Sequence, residues 1–180
     1  MIHRSKTDVC NIAVPQDREY LLLVHDILER PQVGLMKSYV QHGTTTCLEH
    51  SINVSYLSYL YCKKHGLNTR SVARAGLLHD LFLYDWHFHK REKGELLHGF
   101  SHPRVALQNA EKVFALTPLE KNIILRHMWP LTLTPPRYKE AYVVVYYDKY
   151  CSLMETIHRS VMDLYEEQEQ RITKNIARQI

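Results

Sequence analysis

The chain predicts an all-α protein, and three observations carry that prediction. Glycine is scarce, with 6 residues in 180, and glycine is what tight hairpins and bulges consume. Apolar residues recur at i, i+3, i+4 and i+7 along most of the chain, the spacing of one helix face. Helix start and stop signals separate those stretches.

The elements follow in order. A first helix is expected over Asp17–Arg30, DREYLLLVHDILER, and Pro31 ends it because proline cannot donate to the helix ladder. Residues 31–44 read as a loop or short turn. A second helix covers Thr45–His65. Lys63, Lys64 and His65 suit the negative end of its dipole, and Gly66 fits the position just past it. A third runs from Thr69 through Leu83. Residues 84–100 have no clean period and read mostly as loop. A fourth covers Ser101–Ala115, with Pro103 in its first turn. A fifth opens on Thr117-Pro118-Leu119-Glu120, which combines an N-cap threonine, proline at N1 and glutamate at N3. It ends at WPLTLTPPRY. A sixth covers Lys139–Tyr165. Val143–Tyr147 has strand-favouring residues, yet Ala141, Val144, Val145, Asp148 and Ser152 share one helical stripe, so it is read as helix.

Domain organisation is simple. Residues 1–44 form an N-terminal helix and loop on a body over 45–160, and 161–180 form a C-terminal helical tail. In the tail, Ile172, Ile176 and Ile180 make a thin i, i+4 stripe. It can dock on the body or on a second subunit, which would give a homo-oligomer.

Composition narrows the function classes. Hydrophobic residues are 45% and charged residues 23% of the chain, which excludes wholesale disorder. The net charge of +4 suits an anionic small molecule and is too weak to indicate nucleic acid. Cys10, Cys47, Cys62 and Cys151 include no CxxC, so they read as reduced thiols rather than a disulfide framework. No signal-like apolar run opens the sequence, and no stretch approaches the roughly 20 apolar residues of a membrane span. A cytoplasmic protein is expected.

The 12 histidines are the unusual feature. His79 and Asp80 are adjacent, and on a helix through Leu83 both would join a core-facing stripe with Val72, Ala75 and Gly76. A buried carboxylate is costly unless it is paired or bound to a cation. A hydrogen-bonded His–Asp core pair and a metal site both satisfy that demand. The pattern repeats on other helices, however. His50 sits with Val54, Leu57 and Tyr61, His127 with Ile123 and Ile124, and Asp148 with Val144 and Val145. Each would carry its own desolvation cost, and one shared divalent ion would offset them all. His102, early in the fourth helix, can turn into the same cavity. With His127 it would supply two nitrogens for a second ion, and Asp80 is the natural bridge. Mixed nitrogen and oxygen ligands suit iron or manganese, and also zinc, better than magnesium or calcium.

His50, His79-Asp80, His102, His127 and Asp148, in that order, resemble the six-ligand H…HD…H…H…D variant of the HD-domain superfamily of metal-dependent phosphohydrolases. The resemblance covers about residues 45–160. It implies an all-α HD helical bundle with the metal site at its centre. His50, His79, Asp80 and Asp148 would hold a first ion, and Asp80 would bridge to a second on His102 and His127. The implied reaction is hydrolysis of a phosphate mono- or diester of a small metabolite or nucleotide, with a metal-activated hydroxide oriented by Asp80. The run His79-Asp80-Leu81-Phe82-Leu83 lacks the lysine of the HDIGK form, and no GYP motif occurs. Both departures weaken a cyclic-dinucleotide reading.

On the substrate side, Arg104 and Arg137 are the first candidates to hold a phosphate. His98, Lys90 and Arg91 lie between ligands, and Lys149 is expected to point about 100° away from its neighbour Asp148. Trp86, Phe88 and Trp129-Pro130 are candidates to wall the cavity. Two other functions share the ligand order: an HD-type mixed-valence di-iron oxygenase and a nucleotide-binding regulatory protein. Bound iron and oxygen uptake would distinguish the first. An intact ligand set argues against the second.

Overall fold

The structure is a computed structural model, and it describes residues 17–84 and 98–157. The expectations for Trp86, Phe88, Lys90, Arg91, the His98 side chain and the isoleucine stripe of the tail lie outside the described residues. Within them the chain is all-α apart from one small ribbon.

Helix α1 (Arg18–Leu28) starts where the Asp17 carboxylate accepts from the backbone N–H groups of Glu19 and Tyr20, satisfying donors that the first turn leaves free. It buries Tyr20, Val24 and Ile27. Residues 31–46, expected to be mostly loop, hold more structure. Helix α2 (Pro31–Gly34) opens on proline and runs into a 3-10 turn, Leu35–Ser38. Strands β1 (Val40–His42) and β2 (Thr45–Thr46) then pair antiparallel. Gly43, at φ 61°, allows the reversal between them. Strands of three and two residues are too short to show a period in sequence.

Helix α3 (Cys47–His65) begins with a capping box formed by Thr46 and Glu49, and Gly66 closes it at φ 66°. Helix α4 (Thr69–Leu78), capped by Asn68, is entirely buried from Ser71 to Leu78. It ends five residues short of the expected Leu83, so His79 and Asp80 do not lie on a helical stripe. His79 is the C-cap, and the chain turns through Asp80 and Phe82 to Leu83 at φ 58°. Side chains from elsewhere hold this turn. Asn109 donates to the Leu81 carbonyl at 2.9 Å, and the Cys47 thiol donates to the Asp80 carbonyl at 3.3 Å. Periodicity cannot show such support.

Helix α5 (His98–Glu111) starts and ends earlier than expected, so Pro103 falls inside it rather than in the first turn. Helix α6 (Pro118–Arg126) has the predicted capping box between Thr117 and Glu120, and His127 caps its end. Residues 139–157 form helix α7, and 143–147 are helical within it.

Helix α4 is the centre of the bundle, with α1, α3, α5 and α6 packed against it. The α3–α4 contact is close because residue 76 is glycine. A Cβ there would lie 2.9 Å from the Cα of Ser55. The Ser55 hydroxyl donates to the Ala73 carbonyl at 2.6 Å and shares a 2.8 Å hydrogen bond with the Tyr20 hydroxyl, tying α1, α3 and α4 together. Buried Arg74 adds an ionic cross-link. It donates twice to Asp26 of α1 and lies 3.6 Å from the buried Glu120 of α6. Among the described residues no helix is long and apolar enough to cross a membrane.

Candidate metal centre

Five elements or their ends converge on one point beside α4. His50 lies in the first turn of α3, where the Thr46–Glu49 box fixes the helix start. His79 and His127 are the C-caps of α4 and α6. Both rings are held the same way: Nδ1 lies 2.7 Å from the Gly76 carbonyl in one and 2.8 Å from the Ile124 carbonyl in the other. Each Nδ1 therefore donates, and each Nε2 is left facing the site as a lone pair. His102 comes from early α5 and Asp148 from the middle of α7. All six expected ligand positions are buried.

Their polar atoms meet around Asp80. Its Oδ2 lies 3.4 Å from His79 Nε2 and 3.9 Å from His50 Nε2. Its Oδ1 lies 3.3 Å from His102 Nε2 and 3.5 Å from His127 Nε2. One carboxylate thus turns one oxygen to each of two ligand groups. Asp148 Oδ1 joins the first group, 3.2 Å from His50 Nε2 and 3.7 Å from His79 Nε2. In the second group the two Nε2 atoms of His102 and His127 stand only 2.7 Å apart. His50–His79–Asp80 and Asp80–His102–His127 each present ligand atoms within 4.8 Å of one another.

Residues 47–167 match the HD domain, more than half of the chain. The chain belongs to the HD domain family. HD domains bind divalent metals, and the family consists generally of metal-dependent hydrolases. Comparison with curated proteins and with solved structures gives no match.

The residues of this HD site fit a divalent ion on their own chemistry. His79 Nε2, in the first group, and Asp80 Oδ1, facing the second, are buried without a hydrogen-bond partner, costly states that a cation in each group would relieve. The charges of the cluster also strain against one another. Burial opposes a charged His50, yet Asp148 and Glu155 outweigh it and push its pKa up to about 10. Burial likewise opposes a charged His79, and the Asp80 and Asp148 carboxylates raise its pKa all the same. Burial, His102 and His79 push His127 down to about 3. Burial alone would raise Asp80 and Asp148, but the surrounding imidazoles pull both well below the carboxylate range. The imidazoles and carboxylates thus offset one another's burial, a role that the charge of a bound divalent ion would take over.

Three further residues that sequence reasoning did not select touch the site. Gln41, from β1, donates to Asp80 Oδ2 at 2.6 Å. Glu155, on α7, lies 2.9 Å from His50 Nδ1. Lys149 departs from the expectation that it points away. Its long side chain folds back, so that Nζ donates to Asp148 Oδ2 at 2.6 Å and to the His127 carbonyl at 3.2 Å. Glu155 follows Asp148 by seven residues, a helical repeat visible in sequence. Gln41 had no such signal.

The centre opens into a cavity of about 410 Å³, where Asp80, Asp148, His102 and His127 meet Lys149 and Met128. Arg104 and Arg137, expected to hold a phosphate, are exposed and do not line it. Arg137 instead lies over the Tyr138 ring. Trp129 packs edge-on against Tyr142, away from the cavity wall that Met128 provides.

Proposed function

We propose that this HD protein hydrolyses a phosphate mono- or diester of a small metabolite or nucleotide, using two divalent ions. His50, His79, Asp80 and Asp148 would hold one ion, and Asp80, His102 and His127 the other. The observation that carries this reading is the division of Asp80, one oxygen toward each imidazole group. When bound, such ions lower the pKa of water and neutralise charge on a phosphoryl group. The nitrogen-rich ligand set favours iron or manganese over magnesium.

The chain's own residues would do the rest. Lys149 brings its ammonium to the cavity next to Asp148, where it can meet an anionic substrate oxygen. Gln41 fixes the rotamer of Asp80 by its bond to Oδ2. The cavity is of a size that takes a phosphorylated metabolite. The buried free thiols Cys47, Cys62 and Cys151 fit a reducing cytoplasm.

A panel of phosphomonoesters and phosphodiesters, assayed anaerobically with added Mn²⁺ or Fe²⁺, tests the reading. Phosphate release is expected from at least one class. Lys149→Met should raise KM about tenfold, the loss of one charge-assisted contact, while metal content stays unchanged. In a parallel aerobic assay, oxygen uptake without phosphate release would overturn the hydrolase in favour of the oxygenase.

A further inference from the structure

Helix α7 turns an apolar stripe to solvent. Its inward side carries Ala141, Val144, Asp148 and Cys151, all buried. At 3.6 residues per turn, Tyr142, Tyr146, Tyr150, Leu153 and Met154 fall on the opposite side. They stand between 41% and 63% exposed, and none carries charge. A surface helix ordinarily turns charged residues to water there, and one that is apolar on both sides is ordinarily covered. Tyr146, Tyr150 and Leu153 follow one another at spacings of four and three residues, the repeat by which two helices pack along a seam.

The face extends onto α3. Tyr61 is partly exposed there and packs edge-on against Tyr147. Two hollows lie along the α3–α7 groove, one of about 610 Å³ beside Tyr61 and Tyr146, and one of about 300 Å³ beside Leu57 and Met154. They would seat side chains projecting from a covering surface. Tyr146 and Tyr150 stack at the middle of the stripe, with ring centres 6.4 Å apart.

A long, narrow, uncharged stripe calls for another apolar helix rather than an acidic or basic partner, and a second α7 supplies one. An antiparallel pair sets Tyr142 of one copy against Met154 of the other, and Tyr146 against Tyr150. The two Lys139 side chains then stay at opposite ends, on the order of 25 Å apart. Large apolar side chains offer roughly 150–250 Å² each, so the five stripe residues and Tyr61, each about half exposed, would bury on the order of 600 Å² per chain, or about 1,200 Å² in the pair, where specific interfaces begin. We propose that the outward face of α7, with Tyr61, joins two copies of this chain in an antiparallel, two-fold dimer. The inward face of the same helix carries Asp148, so interface and metal centre lie back to back, and the dimer does not depend on the metal-centre reading.

The test is sedimentation velocity of the full chain over a concentration series. Wild type should reach twice the 21.3 kDa of one chain. Tyr146→Glu puts a carboxylate in the middle of the seam and should weaken association at least about thirtyfold. Its circular dichroism should stay unchanged, because the residue is at the surface. Leu133→Glu, at an exposed apolar residue outside α7, should associate as wild type does. A wild type that stays monomeric at every concentration would overturn the proposal. So would a dimer that persists in Tyr146→Glu and dissociates when Ile172 and Ile176 are both replaced by glutamate, since the contact would then lie in residues 158–180.

Discussion

At the scale of single residues, Asp80 carries more of the site than any other side chain. It is buried, one oxygen accepts from Gln41, and both oxygens face imidazole nitrogens. Asp80→Ala should therefore lose both metal equivalents and all activity while the helices persist, as read by elemental analysis and circular dichroism. The raised pKa values of His50 and His79 give a pH prediction. A histidine whose folded pKa is raised stabilises the metal-free fold below about 6.5, and loses that contribution as pH climbs through about 10 for His50. An ion that binds Nε2 must displace such a proton. Mn²⁺ binding near pH 7 should release at least one proton, and apparent affinity should rise roughly tenfold per pH unit. Calorimetry in two buffers of different ionisation enthalpy measures this, and buffer-independent heats would contradict it. That these six residues are buried together could be anticipated in sequence, because burying so many ionisable groups demands compensation. Gln41 could not be, since nothing in a three-residue strand announces where a side chain reaches.

At the scale of elements, the helix ends matter more than the helix faces. The sequence pattern extended α4 through Leu83, yet the functional pair sits just beyond the last turn, at the C-cap and in the loop it leads into. His127 repeats the arrangement at the end of α6. Placing these imidazoles at C-caps lets each Nδ1 use a carbonyl of the preceding turn and frees Nε2 for the cavity. The helix capped by Thr46 was expected to start at Thr45, whereas the capping box at Thr117 could be read directly from residue identity, because a cap is local. The premature end of α4 could not, because Asn109 and Cys47 hold the turn from other elements. The α3–α4 contact makes its own prediction. Gly76→Ala would put a Cβ against Ser55 backbone, and overpacking of this kind costs about 1–3 kcal/mol. Denaturant unfolding should show the loss, and an unchanged midpoint would mean the helices separate freely.

At the scale of the whole molecule, α1, α4 and α6 are locked by Arg74 between Asp26 and Glu120. Arg74→Met should destabilise by about 3 kcal/mol, since the buried Glu120 would keep only the largely exposed Arg70, 3.7 Å away, beside its charge; a chemical melt checks it. The bundle as a whole presents α3, α5 and α7 side chains to the ends of α4 and α6, which is how five separate stretches of sequence share one centre. The two-ion arrangement is the central claim, and metal content tests it most directly. Protein purified without added metal should hold about two equivalents of iron or manganese per chain, and His102→Ala should hold about one. A single equivalent that survives His102→Ala unchanged would contradict the account and move His102 and His127 out of the metal shell.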